Sequence, residues 1–420
     1  MIETCLNDLA SSLLTKDSLK TLRKSAWEAF GKIGLPHKKS EDYQYFPLTS
    51  FYQSHFAEKK EFLGNVENHV FSESKESYLV FIDGEYREDL SNTKGLLSKP
   101  VILPLDEAIK SYGGFIQQRW AKELKEEKDP FCLANAALHE KGCFLFFPPK
   151  YHSLIPIQIL HFTTGLVSFP RVEVVVGKEA EVNLALKTVT ASSSFIHSAI
   201  FLSLDVSARV SYTSLIEEAE SSFHFSSLRA SLKKDATLTS ISVMQGSKGT
   251  RQDYKVDLLG ENATCDLSGM WMLAQNKQAA VNILINHLAP FTRSMQLFKG
   301  VLDDVSQSSF QGQIFVAKEA QKTEAYQLNN NVLLSERAIA NAKPNLQIFA
   351  DDVKASHGAT ISRLDKKQLF YLQSRGVPLK EASILLLRGF CNDVLEKIPF
   401  ASIQQQALAE LQKYLSYAAT

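Results

Sequence analysis

A four-residue fragment recurs along the middle of the chain at a nearly fixed interval: Glu179-Ala180-Glu181-Val182, Ser207-Ala208-Arg209-Val210, Asp235-Ala236-Thr237-Leu238 and Asn262-Ala263-Thr264-Cys265. The alanines are 28, 28 and 27 residues apart. A polar turn, a small residue and then an apolar strand, repeated at one period, is the pattern of stacked rungs, in which each rung covers the hydrophobic edge of the last. From about Pro156 to Phe349 short runs rich in Val, Ile, Leu and Thr recur with little helical periodicity, as β structure requires. The expectation is a mainly β protein with a parallel β-helix core. A β-sandwich of evenly sized hairpins is the alternative, weakened by the scarcity of Asn-Gly turns.

Helical segments flank this core. From Ser18 the residues Leu22, Ala26, Phe30 and Ile33 follow at helical spacing before Gly34 and Pro36, which predicts an amphipathic N-terminal helix. Between Phe62 and Pro149 the pattern is mixed: Tyr78 to Ile82 before Asp83-Gly84 reads as a strand and tight turn, and Leu133 to Leu138 as the start of a helix. After Thr360, Asp365 to Ser374, Leu379 to Leu395 and Ser402 to Ala418 read as three helices, punctuated by Gly376, Pro378 and Pro399. The expected division is an N-terminal helical and mixed domain over 1–149, the β-helix core over 150–355 and a C-terminal helical domain over 356–420.

Lys plus Arg and Asp plus Glu both number 46, so no global field draws the chain to nucleic acid or an anionic membrane. No apolar run approaches the ~20 residues that span a bilayer. The first ten residues carry acidic side chains and no basic segment ahead of an apolar core, so no secretory signal is expected and a cytoplasmic location is the default. Cys5, Cys132, Cys143, Cys265 and Cys391 are scattered, odd in number and form no CxxC pair, which suits a reducing compartment rather than a disulfide framework. There is no GxxxxGK[ST] phosphate loop, Gly246 to Thr250 being only a Gly-bearing turn, and no HExxH helix, GxSxG elbow or kinase motif set. A β-helix polysaccharide-modifying enzyme remains the competing class, since such enzymes carry no compact motif.

Candidate residues cluster near the end of the β region. In Asp351-Asp352-Val353-Lys354-Ala355-Ser356-His357-Gly358-Ala359-Thr360, His357 offers a neutral imidazole, a borderline ligand suited to iron; a capping or buried hydrogen-bonding histidine is the plainer reading. Asp351 and Asp352 also read as a solvated turn. Cys265 occupies the position of Val182, Val210 and Leu238 in the repeat, which makes it a core residue, and Met270, Trp271 and Met272 read as interior filler. Phe370, Tyr371 and Leu372, with Ala382, Leu385, Leu386 and Phe390, offer more apolar surface than a small helical unit buries, so part of it docks a partner or caps the β-helix.

These residues resemble the SufB/SufD family, the scaffold of the SUF iron-sulfur cluster assembly system. The resemblance rests on Ala320 to Asn331, Leu333-Leu334-Ser335, Lys343-Pro344-Asn345-Leu346, Ala350 to Val353, Ser356 to Thr360 and Leu369 to Gly376, with weaker likeness at Glu41 to Tyr45 and Phe81 to Gly84. It implies a right-handed parallel β-helix flanked by N-terminal and C-terminal helical domains. His357-Gly358-Ala359-Thr360 departs from the His-Glu-Ala-Thr pattern of SufB and favours the SufD side; many SufD proteins have Cys where Ala355 stands. The family implies no catalytic turnover, a SufB-like paralogue as heterodimer partner, a SufC-like ABC ATPase docked through Phe370, Tyr371, Arg375, Leu385, Leu386 and Phe390, and a homodimer as an option when the chain is alone. It also implies a transient iron-sulfur cluster shared with SufB, His357 as iron or cluster ligand, and a reduced flavin as a further cofactor of the assembled complex. Whether this chain supplies iron or only completes the heterodimer stays open.

Overall fold

The computed structural model describes residues 2–418 apart from 16–17, 58–59, 97–99, 166, 191–192 and 218. Successive strands alternate between two sheets and build a flattened parallel β-helix of about seven turns. The first sheet stacks Ile157–Thr163, Glu181–Thr190, Arg209–Glu217, Thr237–Met244, Thr264–Leu273, Arg293–Leu302, Thr323–Leu333 and Val353–Ser362. The second stacks Cys143–Phe147, Arg171–Val176, Phe195–Leu204, Phe223–Leu232, Gly249–Leu258, Gln278–His287, Gln307–Val316 and Ile339–Ile348.

The repeated fragment is the corner of each rung. Val182 pairs with Val210, Val210 with Leu238 and Leu238 with Cys265, and all four side chains lie in one interior cluster. The residue ahead of each alanine, Glu179, Ser207, Asp235 or Asn262, is held at φ between 57° and 59°. Asp and Asn tolerate this left-handed conformation best among residues with a side chain; Asn262 Nδ2 also donates to Asp235 Oδ1 at 3.0 Å, linking adjacent corners. The backbone N–H groups of Glu179, Ser207 and Asp235 each donate to a carbonyl of the following corner at 2.9 Å. The alanines that follow are buried. In the next two rungs the left-handed residues are Phe291 and Lys322, followed by Thr292 and Thr323, whose hydroxyls meet at 3.1 Å. The geometry therefore persists where the alanine repeat has faded.

Both sheets are clad on their outer faces, which explains strands that are apolar without strict alternation. N-terminal helices cover the second sheet through an aromatic cluster that includes Phe51, Phe131, Phe195, Phe223 and Phe225. Beside it, Arg229 pairs with Glu127 and Asp253, each at 2.7 Å, and Arg251 donates to the Asp42 carbonyl at 2.7 Å while lying 4.0 Å from the centre of the Tyr43 ring. C-terminal helices Leu379–Leu395 and Ala401–Ala418 cover the first sheet, burying Leu387, Cys391, Val394, Ile403, Leu411 and Leu415 against Ile241, Val243, Met270, Met272 and Val301. The Met270-Trp271-Met272 run is thus divided: Trp271 faces the interior and the two methionines face the helices.

Three features add detail to the expected division. Strands begin within the region assigned to the N-terminal domain, since Tyr78–Ile82 and Cys143–Phe147 already run parallel to the rungs beside them. The last strand continues to Ser362, past the expected junction at 355, and the first C-terminal helix starts at Lys366. The helix Lys20–Ile33 buries Arg23, Ala26 and Phe30 but leaves Ile33 exposed. Arg23 is buried because its guanidinium donates to the carbonyls of Ala137 and Glu140, each at 3.1 Å, just where the helix Pro130–Leu138 ends with unpaired carbonyls.

The two ends of the stack differ. At the N-terminal end an antiparallel strand closes each sheet: the charged Glu85–Asn92 beside Tyr78–Ile82, and the short Val101–Pro104 beside Cys143–Phe147. At the other end the ten-residue strands Ile339–Ile348 and Val353–Ser362 are the last in their sheets. Among the described residues no further strand pairs with their outer edges and no helix is long and apolar enough to cross a membrane.

Burial lowers the pKa of three enclosed histidines, His161 and His197 to about 3 and His287 to about 4. An unfolded imidazole titrates near ~6.5, so the unfolded state binds more protons between there and the folded values; their stabilisation is complete above that window and is lost as pH falls through it. Asp129, which burial pushes up to about 6, acts in the opposite sense, as do the raised carboxyls of Asp42, Asp266 and Asp303, while the lowered His139 adds to the histidine effect. The urea midpoint should therefore fall on acidification from about pH 7.5 to about pH 5, by on the order of 1 kcal/mol per buried imidazole per pH unit below ~6.5. An unchanged midpoint across that range would contradict this account.

Candidate functional site

Side chains alternate across a strand, so residues paired in register form columns that face either inward or outward. Leu184, Tyr212, Ser240, Leu267, Gln296, Gln327 and His357 make one such column. Leu184, Tyr212 and Leu267 lie in the interior cluster, so the column faces inward and His357 is its last member. His357 is exposed because no rung follows it. On the opposite face of the same strand, Lys354 pairs with Glu324 at 3.4 Å and Thr360 donates to Asn330 Oδ1 at 2.8 Å. The histidine thus sits in the middle of the last strand, at the mouth of the solenoid, rather than in a connecting loop.

The interior changes character toward this mouth. Leucines and valines give way to amides: Gln296, Gln327, Asn329 and Asn331 are all buried. Asn331 Nδ2 donates to Asn329 Oδ1 at 2.7 Å, and Asn329 Nδ2 to the Phe298 carbonyl at 3.2 Å. The sequence carried a usable signal, because Gln327, Asn329 and Asn331 alternate at period two within Gln327-Leu328-Asn329-Asn330-Asn331 and therefore share one face of a strand. Beyond them the last rung directs small and aliphatic side chains inward, and Leu328, Ile339, Phe349 and Ile361 are exposed at this end. Asp351 and Asp352 are exposed in the final corner, where Asp352 N donates to Gln321 Oε1 at 2.9 Å.

No group of three or more His, Cys, Asp or Glu side chains among the described residues could hold a metal ion. Burial raises the thiols of Cys132, Cys143 and Cys265 and pushes that of Cys391 up to about 12, which keeps these sulfurs protonated and poor as ligands. Cys265 is the core residue its place in the repeat predicts.

The C-terminal helices distribute their predicted contact residues over different surroundings. Phe370, Tyr371 and Leu385 are large apolar side chains in the open, and Arg375 lies 5.5 Å from the Tyr371 ring centre. Leu386 is half-buried. Phe390 turns into the seam and packs on the cluster beneath. Two features escaped the sequence reading. An apolar cleft runs between Leu334, Leu364, Leu379, Ile384 and Leu387. The buried Lys299 of the first sheet donates to the Phe390 carbonyl at 2.8 Å, pairs with Asp393 and lies 4.5 Å from the Phe390 ring centre, clamping the helix Leu379–Leu395 to the solenoid.

Comparison with known proteins agrees with this architecture. Residues 160–390 match the family model of the SUF system FeS cluster assembly SufBD core domain, and residues 8–159 that of the SufBD protein N-terminal region. An iron-sulfur cluster assembly SufBD family protein of Synechocystis is 30% identical over 413 residues, covering 93% of this chain and 90% of the relative. The iron-sulfur cluster assembly protein SufD of Escherichia coli is 28% identical over 394 residues, 91% of this chain and 90% of that protein. The SufB of Bacillus subtilis is 22% identical over 342 residues, 78% and 72% of the two chains. These matches leave the polysaccharide-modifying alternative without support.

Lys299→Met should free the C-terminal unit by leaving Asp393 and the Phe390 carbonyl without their cation. Amide exchange in the helix Leu379–Leu395 is expected to accelerate roughly tenfold, equivalent to about 1–1.5 kcal/mol, with exchange in the central rungs unchanged. Equal protection in variant and parent would show that apolar packing alone holds the helix.

Proposed function

The chain belongs to the SufBD family of SUF iron-sulfur cluster assembly proteins, and from that membership we propose that it is the SufD-type scaffold subunit of a complex with a SufB-like paralogue and a SufC-like ATPase. The observation that carries the pairing is the asymmetry of the stack. One end is closed by antiparallel strands, and the other ends on two long strands whose outer N–H and C=O groups have no neighbouring strand. Such edges pair readily with another chain. A paralogue with the same solenoid supplies two matching edges and covers Ile339, Phe349 and Ile361.

In this reading His357 provides a ligand to iron or to the nascent cluster, which is the cargo of the assembly rather than a resident group. Neutral imidazole suits iron, and Ala355 offers no thiolate beside it, so the remaining ligands come from the partner across the interface. The chain acts by holding and positioning, without turnover of its own. A reduced flavin, which the resemblance also implies, would be a cofactor of the assembled complex.

The ATPase docks on Phe370, Tyr371, Arg375 and Leu385. Leu386 and Phe390 support that surface from behind. ATP-driven dimerisation of two ATPase copies, one on each paralogue, then pulls on helices that Lys299 fixes to the first sheet, so movement of the helical unit carries the solenoid with it and changes access to the open end.

Co-expression with the SufB-like and SufC-like proteins of the same genome, followed by native mass determination, tests the assembly. One copy of this chain, one SufB-like chain and two ATPase copies are expected; a solitary chain that ignores both overturns the proposal. In the assembled complex, His357→Ala should leave the stoichiometry intact and lower iron or cluster retention by at least about tenfold. Unchanged reconstitution would remove the ligand role and leave the chain as the structural half of the scaffold.

A further inference from the structure

The column that ends at His357 contains a second feature, in the rung directly beneath. Gln327 is 3% exposed and its Nε2 donates to Gln296 Oε1 at 2.7 Å. With that nitrogen committed, the carbonyl Oε1 lies on the other side of a planar amide, buried and without a protein partner. A buried amide oxygen left in this state is unfavourable, so a partner is expected. The side chain is also held in place from across the interior. It reaches Gly312 on the second sheet, where an added Cβ would lie 2.0 Å from Nε2 and 2.7 Å from Cδ. Only glycine leaves room for the amide there.

The last rung offers few donors. Pro344, in register with Gly312, has no backbone N–H, and the other inward side chains of that rung are aliphatic. His357, in register with Gln327, is the inward side chain that carries an N–H. We propose that Gln327 is a positioning residue for His357: its Oε1 accepts the N–H of one ring nitrogen, fixing the imidazole in a single tautomer with the lone pair of the other nitrogen directed out of the open end toward iron. Gln296 beneath anchors the amide through that hydrogen bond, its own Nε2 being a second buried donor without a protein partner. Gly312 acts with them as the clearance that lets the amide lie where it does. Metal-bound histidines are commonly oriented by a hydrogen bond from the second ring nitrogen. In this proposal the orienting group belongs to the chain's own interior, one rung beneath the ring. The inference rests on the ligand reading of His357 only for its purpose, not for its geometry.

The test uses the full chain labelled with ¹⁵N-histidine, with the His357 signals assigned by their loss in His357→Ala and the tautomer read from long-range ¹H–¹⁵N couplings. In the parent protein one tautomer should dominate by roughly five- to tenfold, the bias one hydrogen bond supplies. Gln327→Met keeps the volume and removes the acceptor, and the ratio should fall to within about twofold. Gly312→Ala, on the other sheet, displaces the amide without altering it and should give the same loss; it is the second variant should Gln327→Met fold poorly. In the SufB-paired complex both variants should also weaken iron(II) binding by about tenfold. A His357 tautomer ratio equal to that of the parent in the folded variants overturns the proposal. Failure of the ligand reading looks different: the bias would vanish in both variants while His357→Ala left cluster retention untouched.

Discussion

The structure depends on a short main-chain contact made at the corners that lead from the second sheet into the first. A residue forced into the left-handed region turns the chain and sends its N–H to the carbonyl of the next corner, and a buried small residue follows. This contact sets the register of the strand beyond it. Because side chains alternate with a period of two, a slip of one residue at any corner would invert every inward and outward position of that rung. The columns from Val182 to Cys265 and from Leu184 to His357 are straight because no such slip occurs. Non-local pairing of this kind is slow to form, yet each rung meets the chain just completed, so the rungs can be laid down in sequence order.

Function follows from where the stacking stops. An ordinary solenoid protects both ends; this one closes the first end with strands from its N-terminal part and, among the described residues, ends the second on two strands without a further neighbour, which in the proposed assembly another chain covers. The same choice explains the odd composition near the mouth. A wholly leucine-filled interior opening to water would favour indiscriminate association. Replacing leucine by glutamine and asparagine in the last interior layers keeps the mouth polar, while Pro344 and Lys343 on one edge strand and Lys354 on the other discourage unintended pairing. A partner must therefore match both the backbone edges and the amide-lined interior.

The legible parts of the fold were those in which one residue type answers one geometric need. Alanine at the corners, the Asp83-Gly84 turn and the glycine and proline breaks between the C-terminal helices all had that quality. The rest was hidden where two residue types satisfy the same need. Thr292 and Thr323 replace alanine by hydrogen-bonding to each other, so the repeat faded although the rung did not. Val353, Ala355, Ala359 and Ile361 alternate as an inward face should, but polar residues between them, with His357 in the series, hid the strand's end at Ser362 behind an expected junction at 355. Arg23 and Lys299 look like solvent-facing charges; their roles come from carbonyls and a carboxylate far away in sequence. His357 was visible as a residue type, whereas its place in an inward column needed the register of six earlier rungs.

The open end has a thermodynamic consequence as well. In a linear stack, stability is nearly a sum over neighbouring pairs. Each central rung has two neighbours, and the rung that carries His357 has one. A partner that adds its own edge converts this terminal rung into an internal one and stiffens it. In the proposed assembly the relation is mutual by linkage: a ligand that steadies the imidazole also strengthens the hold on the partner by the same factor. Scaffold assembly and site maturation in this chain are then two readings of one nearest-neighbour energy.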